Sequence, residues 1–241
     1  MKKVTLLVVA LLTVGITNAQ WGKKVKGNGK VITVDRSTGD YNSIAIAGWF
    51  DVALVDGKEG DITIKGEENL LEYIVTEVKD GKLAVKVKKG YYLKPSSWDK
   101  GSINITIPIE SINAVTMSGS GDIVGKKTIK ADDFHTSMSG SGDIDLTIEA
   151  TDITVSLSGS GDMVLAGATE NLEIQISGSG DIKAYGLSAD NVTAQVSGSA
   201  DIKVTANKML KARVSGSGDI YYKGNPKVDS KTSGSGDISK G

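Results

Sequence analysis

The chain contains no cysteine. That excludes disulfide staples, thiolate metal sites and cysteine nucleophiles. It contains a single histidine, His135, so a Ser/His or Cys/His catalytic system would have to be built around that one ring. His135 sits between Phe134 and Thr136 on the outward phase of an alternating stretch, which reads as a solvated strand residue rather than a base. Proline occurs only three times and aromatic residues make up 5% of the chain, so neither rigid loops nor large rings carry the fold. An excess of one charge is missing too. Against 28 basic residues stand 29 acidic ones, a balance that gives no reason to expect a nucleic acid or an anionic membrane as partner.

Long hydrophobic runs are also absent, with one exception at the start. Met1-Lys2-Lys3 is followed by the almost wholly apolar Val4 to Val14, and Thr17-Asn18-Ala19 puts small residues before Gln20. This is the order of a secretory signal peptide with a cut between Ala19 and Gln20. The run falls short of the roughly 20 apolar residues that span a bilayer. No cysteine follows it to take a lipid anchor. Residues 1–19 are therefore expected to be removed, leaving an exported chain of formal charge −3 in the periplasm, on the cell surface or secreted, with no membrane span.

What the chain has in abundance is glycine, 30 residues of it, and the glycines are ordered. Ser-Gly-Ser-Gly-Asp-Ile begins at Ser118, Ser139, Ser158, Ser177, Ser197, Ser215 and Ser233, with only Met163 for Ile and Ala200 for the second Gly. The intervals are 21, 19, 19, 20, 18 and 18 residues. A degenerate copy, Ala47-Gly48-Trp49-Phe50-Asp51-Val52, lies upstream. Between motifs the sequence alternates: Ile153, Val155 and Leu157 take one phase, Thr154, Ser156 and Ser158 the other. Period two over a dozen residues specifies β-structure with one face inward. Both motif glycines fall on the inward phase and Ser, Ser and Asp on the outward one. Ala200 suggests that the glycine positions ask for a small side chain more than for positive φ.

One unit of about 19 residues cannot bury its own apolar face, so units must stack in register. The expected fold is all-β: a single-domain parallel β-helix, a solenoid of pectin-lyase-like shape. Parallel crossovers favour the right-handed form. A left-handed helix of hexapeptides is the rival, but no apolar-Gly hexad recurs three times per unit. After the signal come a lead-in segment at 20–39 and the helix at 40–241. The helix divides into irregular, larger first coils at 40–113, with a short helix near Glu67 to Ile74, and seven motif coils at 114–241. In the last coil Val228, Ser230 and Thr232 take the inward phase, and these polar substitutions suit an edge.

Two features could bind something. The stretch Lys88 to Gly101 breaks the β pattern and gathers Tyr91, Tyr92 and Trp98 among lysines, which suits a glycan or a protein surface. The alternative is that these rings plug the side of the helix. The second feature is the column Asp122, Asp143, Asp162, Asp181, Asp201, Asp219 and Asp237. Such a column invites Ca²⁺, but one carboxylate per coil makes a poor cage. The preferred reading is that each carboxylate accepts a local backbone N–H at the bend, with no metal and no cofactor.

The motif copies, the Ala47-to-Val52 copy and the signal peptide together resemble the head GIN domain family of autotransporter-type adhesins, over about residues 40–241. The resemblance implies a right-handed β-helix without the catalytic residues of pectin lyases, and a role in adhesion. It offers no catalytic or binding residue to transfer. The expected function is a noncatalytic binding or adhesion module of the cell envelope, with a purely structural envelope solenoid as the alternative.

Overall fold

The computed structural model describes residues 22–97 and 102–241. The export signal with its Ala19–Gln20 junction, and Trp98, lie outside these described residues. The strands of the first part are β1 (Lys23–Lys26), β2 (Val31–Ser37), β3 (Ser43–Gly48), β4 (Asp51–Asp56), β5 (Asp61–Glu67), β6 (Ile74–Lys79), β7 (Lys82–Val87), β8 (Tyr91–Lys94) and β9 (Asn104–Ile109). The motif region follows with β10 (Ala114–Gly119), β11 (Ile123–Gly125), β12 (Ile129–Gly140), β13 (Ile144–Gly159), β14 (Met163–Gly178), β15 (Ile182–Gly198), β16 (Ile202–Gly216), β17 (Ile220–Lys223), β18 (Lys227–Gly234) and β19 (Ile238–Lys240). The one helix among the described residues, α1 (Glu68–Leu71), is a single turn.

From β10 onward the chain is a parallel β-solenoid. Each long strand bends round the coil and pairs in parallel with the same stretch of the next, so that Ser139, Ser158, Ser177, Ser197 and Ser215 stand in one row. The inward phase stacks likewise: Phe134, Ile153, Leu172, Val192 and Leu210 align, and all are buried. A slip of one residue would turn this whole row to solvent, which is what holds the register. Two threonines of these coils are buried among the described residues, and Thr169 donates to the carbonyls of Thr151 and Asn171. Thr136 is fully buried between Val115 and Val155 and its hydroxyl has no partner among the described residues.

The glycines depart from the expectation that both face inward for want of space. The first glycine has positive φ in every motif, +145° at Gly178, and is half-exposed in the first six and exposed in the last. A Cβ there would also lie 2.2 Å from the carbonyl oxygen of Gly159 in the preceding coil. Conformation and inter-coil contact both require glycine at this position. The second glycine position has no positive φ and is buried in the first six motifs, and a Cβ on Gly180 would meet the Gly161 carbonyl oxygen at 1.9 Å. Only this second position carries a natural alanine, Ala200, which is fully buried. Small size is thus the demand at one glycine and positive φ the demand at the other.

The first part is not a set of larger coils in chain order. The upstream copy does stack on the first motif coil, with Ala47 beside Ser118, Gly48 beside Gly119 and Val52 beside Ile123. Yet the coil beyond it is formed by β7 and β9, which follow later in the sequence. The β3–β4 coil is therefore sandwiched between a later one and β10–β11. Antiparallel pairings β2–β5, β5–β9 and β6–β7 then cover that end of the stack. Antiparallel strands need only short turns, whereas stacking outward in parallel needs another full coil.

Candidate functional site

The strand that leads into each motif presents two outward columns. One reads Ala45, Thr116, Ser137, Ser156, Gln175 and Gln195, and the other Ala47, Ser118, Ser139, Ser158, Ser177 and Ser197. In a chain that is 24% charged, neither column holds a charge over these six coils. Five inter-coil steps make a run of about 24 Å. The small side chains leave a trough of about 570 Å³ along the solenoid axis. Its floor is formed by edges of Ile46, Met117, Met138, Leu157 and Ile176, which keep 2–3% of their surface exposed.

Charge returns at both ends of the trough. Arg213 continues the first column and is held by Asp229 at 2.8 Å. At the other end Lys86, beside Ala47, pairs with Glu77. The hydroxyls of Ser139, Ser158 and Ser177 make no hydrogen bond among the described residues and point to solvent. The trough thus offers repeated hydroxyl donors and acceptors over an apolar floor, with no acid or base to do chemistry.

The Asp column lies on the next face. Its carboxylates do accept backbone N–H groups, but the donors are not local. Asp122 accepts from Asp143 at 3.0 Å, Asp143 from Asp162 at 3.1 Å, and Asp162 from Asp181 at 3.1 Å. The series continues through Asp181 and Asp201 to Asp219, which accepts from Asp237 at 2.7 Å. The reason lies in the bend. The residue after each Asp donates to the carbonyl of the next coil's Asp, as Met163 does to Asp181 at 2.8 Å. The next Asp's own N–H is left without a carbonyl acceptor, and the side chain below supplies one. Burial alone would push the Asp162 carboxyl up. The bond from Lys183, the Asp181 N–H and the Lys183 charge outweigh it and hold Asp162 below the usual range. Asp51, in the upstream copy, is raised by burial and by the charge of Asp122.

The sequence candidates Tyr91 and Tyr92 lie on a strand, β8, and not in an irregular loop. β8 pairs in parallel with β1, Tyr91 beside Lys23 and Tyr92 beside Lys24. The stretch 88–101 does not alternate for long enough to reveal a four-residue strand whose partner is 68 residues away. The two tyrosines separate. Tyr91 turns inward, half-buried, its ring 4.5 Å from that of Tyr73, whereas Tyr92 is 57% exposed. Tyr91 is thus a packing residue and Tyr92 a surface one. His135 is exposed, beside Asp133, Asp152 and Thr154. Among the described residues no group of three His, Asp or Glu side chains is placed to hold a metal. None of their helices is long and apolar enough to cross a membrane.

Sequence reasoning missed the trough. Its signal was present in the outward Ser, Thr, Gln and Ala between the apolar residues, which are uncharged coil after coil.

Comparison with known proteins gives a consistent result. A family described as "Putative auto-transporter adhesin, head GIN domain" matches residues 40–226. A crystal structure described as a putative adhesin from Bacteroides fragilis superimposes with a TM-score of 0.82 at 27% identity, over 90% of this chain and 99% of that one. One described as a putative lipid binding protein from Parabacteroides distasonis gives 0.74 at 28% identity, over 91% and 100%. A third, described as a putative adhesin from Parabacteroides merdae, gives 0.71 at 24% identity over 91% and 100%, and speaks to the fold alone. No protein of curated function matches the chain.

Proposed function

Because the chain belongs to the head GIN domain family of auto-transporter adhesins, we propose that it is an exported, noncatalytic binding module whose ligand lies along the trough. The observation that carries this reading is the uncharged surface running over six coils between two ion pairs and lined by hydroxyls over the five from Ser118 to Ser197. A surface of that kind suits an extended, neutral, hydroxyl-rich polymer, such as a cell-surface glycan. Hydroxyls with no partner among the described residues can exchange hydrogen bonds with the sugar, and the apolar floor can take the faces of its rings. One protein of this fold is described as lipid-binding. An acyl chain would gain nothing from the hydroxyl columns, which favours the sugar over the lipid.

The test is an array of neutral glycans probed with the chain from Gln20 onward. Ser158→Arg projects a long cation into the middle of the trough from an exposed position. Binding should fall by about tenfold or more while the melting temperature stays put. Equal binding by the variant would rule out the trough, and absence of any bound glycan would favour a structural envelope solenoid.

A further inference from the structure

We propose that the outer face of the β1–β8 sheet is a second binding site, specific for an anionic polysaccharide. It uses residues outside the trough and does not rest on it. In the parallel register Lys24 stands beside Tyr92 and Lys26 beside Lys94. The alternate residues Val25, Tyr91 and Leu93 turn toward the core; Leu93 is buried and the other two are half-buried. Lys24, Lys26, Tyr92 and Lys94 therefore share the opposite face, and all four are exposed. Neighbours on such a face lie about 4.8 Å apart across the strands and about 6.6 Å along them.

Three cations thus neighbour one aromatic ring, and no carboxylate among the described residues pairs with them. Lys24, Lys26 and Lys94 form no ion pair among the described residues, although Lys30, Lys86, Lys127, Lys130, Lys183 and Lys208 all do. The nearby carboxylates are committed elsewhere. Glu67 accepts the N–H groups of Gly29 and Ser96, both at 2.7 Å, and Glu68 holds Lys30 at 2.9 Å. Lys88 and Lys89 add exposed positive charge at the head of β8. A concentration of cations in a chain of net charge −1 is local, and so is the field it makes.

The face is also held rigid. Glu67 fixes the turns that follow both strands, and the Asn69 amide donates to the Lys26 carbonyl at 2.8 Å while its oxygen accepts the Asn28 N–H at 2.9 Å. A flat, preorganised face with one exposed ring among lysines matches an acidic sugar chain. The ring takes the apolar side of a sugar and the ammonium groups take its carboxylates or sulfates. A membrane surface fits less well, because no aliphatic side chain accompanies Tyr92 on this face to enter the acyl region.

The experiment measures binding of the chain from Gln20 onward to immobilised polygalacturonate, with neutral dextran, polyphosphate and phosphatidylglycerol vesicles as comparison probes. Polygalacturonate should bind and dextran should not bind at this face. Raised salt, and the triple variant Lys24→Glu, Lys26→Glu, Lys94→Glu, should each weaken binding by about tenfold or more. Tyr92→Ala should weaken it by about two- to tenfold. A charge-matched variant at exposed lysines elsewhere, Lys58→Glu, Lys65→Glu, Lys227→Glu, should bind as the parent does. The lysines of the face make no ion pair among the described residues, so melting of the triple variant should match that of the parent and separate lost binding from lost fold. The proposal is overturned if polygalacturonate fails to bind, or if the triple variant binds as the parent. Polyphosphate binding as tightly and without regard to Tyr92 would reduce the face to simple charge attraction. Triple-sensitive binding of vesicles alone would assign it to a membrane.

Discussion

Asp162 accepts the main-chain N–H of Asp181, one coil further along, while its second oxygen holds Lys183 at 2.6 Å. A single carboxylate thereby closes the backbone ladder at the bend and anchors an ammonium that offsets the charge of Asp143 and Asp181. Replacing it should show both roles.

Asp162→Ala leaves the Asp181 N–H without its acceptor and should cost about 1–3 kcal/mol. For a protein of this size that is roughly a 2–12 °C fall in melting temperature. Because the folded carboxyl is held below its ordinary value, the parent's advantage is full above an unfolded pKa of about 3.9 and fades as pH drops through the lower folded value. Asp51 should behave in the opposite sense. Its raised carboxyl is disfavoured when charged, so Asp51→Asn should be mildly stabilising at pH 7, with the gain gone below about pH 3.9. Thermal melts across pH read both. The ladder already occupies one oxygen per coil, so millimolar Ca²⁺ should shift melting little; a rise of more than about 5 °C, reversed by chelator, would show that metal holds the column.

The two glycines of a motif should differ in their tolerance of a side chain. Gly178→Ala meets both a positive φ and the Gly159 carbonyl, and a shift of the coil relieves only the second. Gly180→Ala meets only the carbonyl, the situation that Ala200 already accommodates. The first variant should lose about 1–3 kcal/mol and the second clearly less. Ser179→Ala, on the surface, should change stability by no more than about 0.5 kcal/mol. Equal losses at both glycines in denaturant titrations would contradict the assignment of separate roles.

Glu67 should act as the clasp of the β1–β8 sheet. It is fully buried, and burial alone would raise its carboxyl, yet the N–H groups of Gly29 and Ser96 hold it below the usual range. Glu67→Ala should cost about 1.5–3 kcal/mol for each bond lost. The effect should also be local. Hydrogen exchange at residues 23–26 and 91–94 should accelerate while the coils from β13 to β16 keep their protection. Uniform loss of protection along the solenoid would mean that Glu67 supports the whole stack.

Thr136→Val removes the one buried side-chain hydroxyl without a partner among the described residues and keeps the shape. The variant should gain about 1 kcal/mol and melt higher. Destabilisation would reveal a partner for that hydroxyl in solution.

The sequence alone determined the coil. Identical motifs at near-constant spacing, with strict alternation between them, leave one way to bury Ile153, Leu172 and Val192: stacking in register. It also determined which side chains between the motifs face outward, and that the motif aspartates stand in one column. Tertiary structure decided everything that depends on a neighbour one coil away. Period two fixes the side on which a residue lies, but not which backbone group it meets. The donor to Asp162 is 19 residues distant, and Gly178 is confined by Gly159 at the same separation. Only the fold places β7 and β9 beyond β3 and β4, and joins the lysines of β1 to Tyr92 of β8. These pairings are non-local contacts made by backbone groups, and the identity of a side chain carries no record of them.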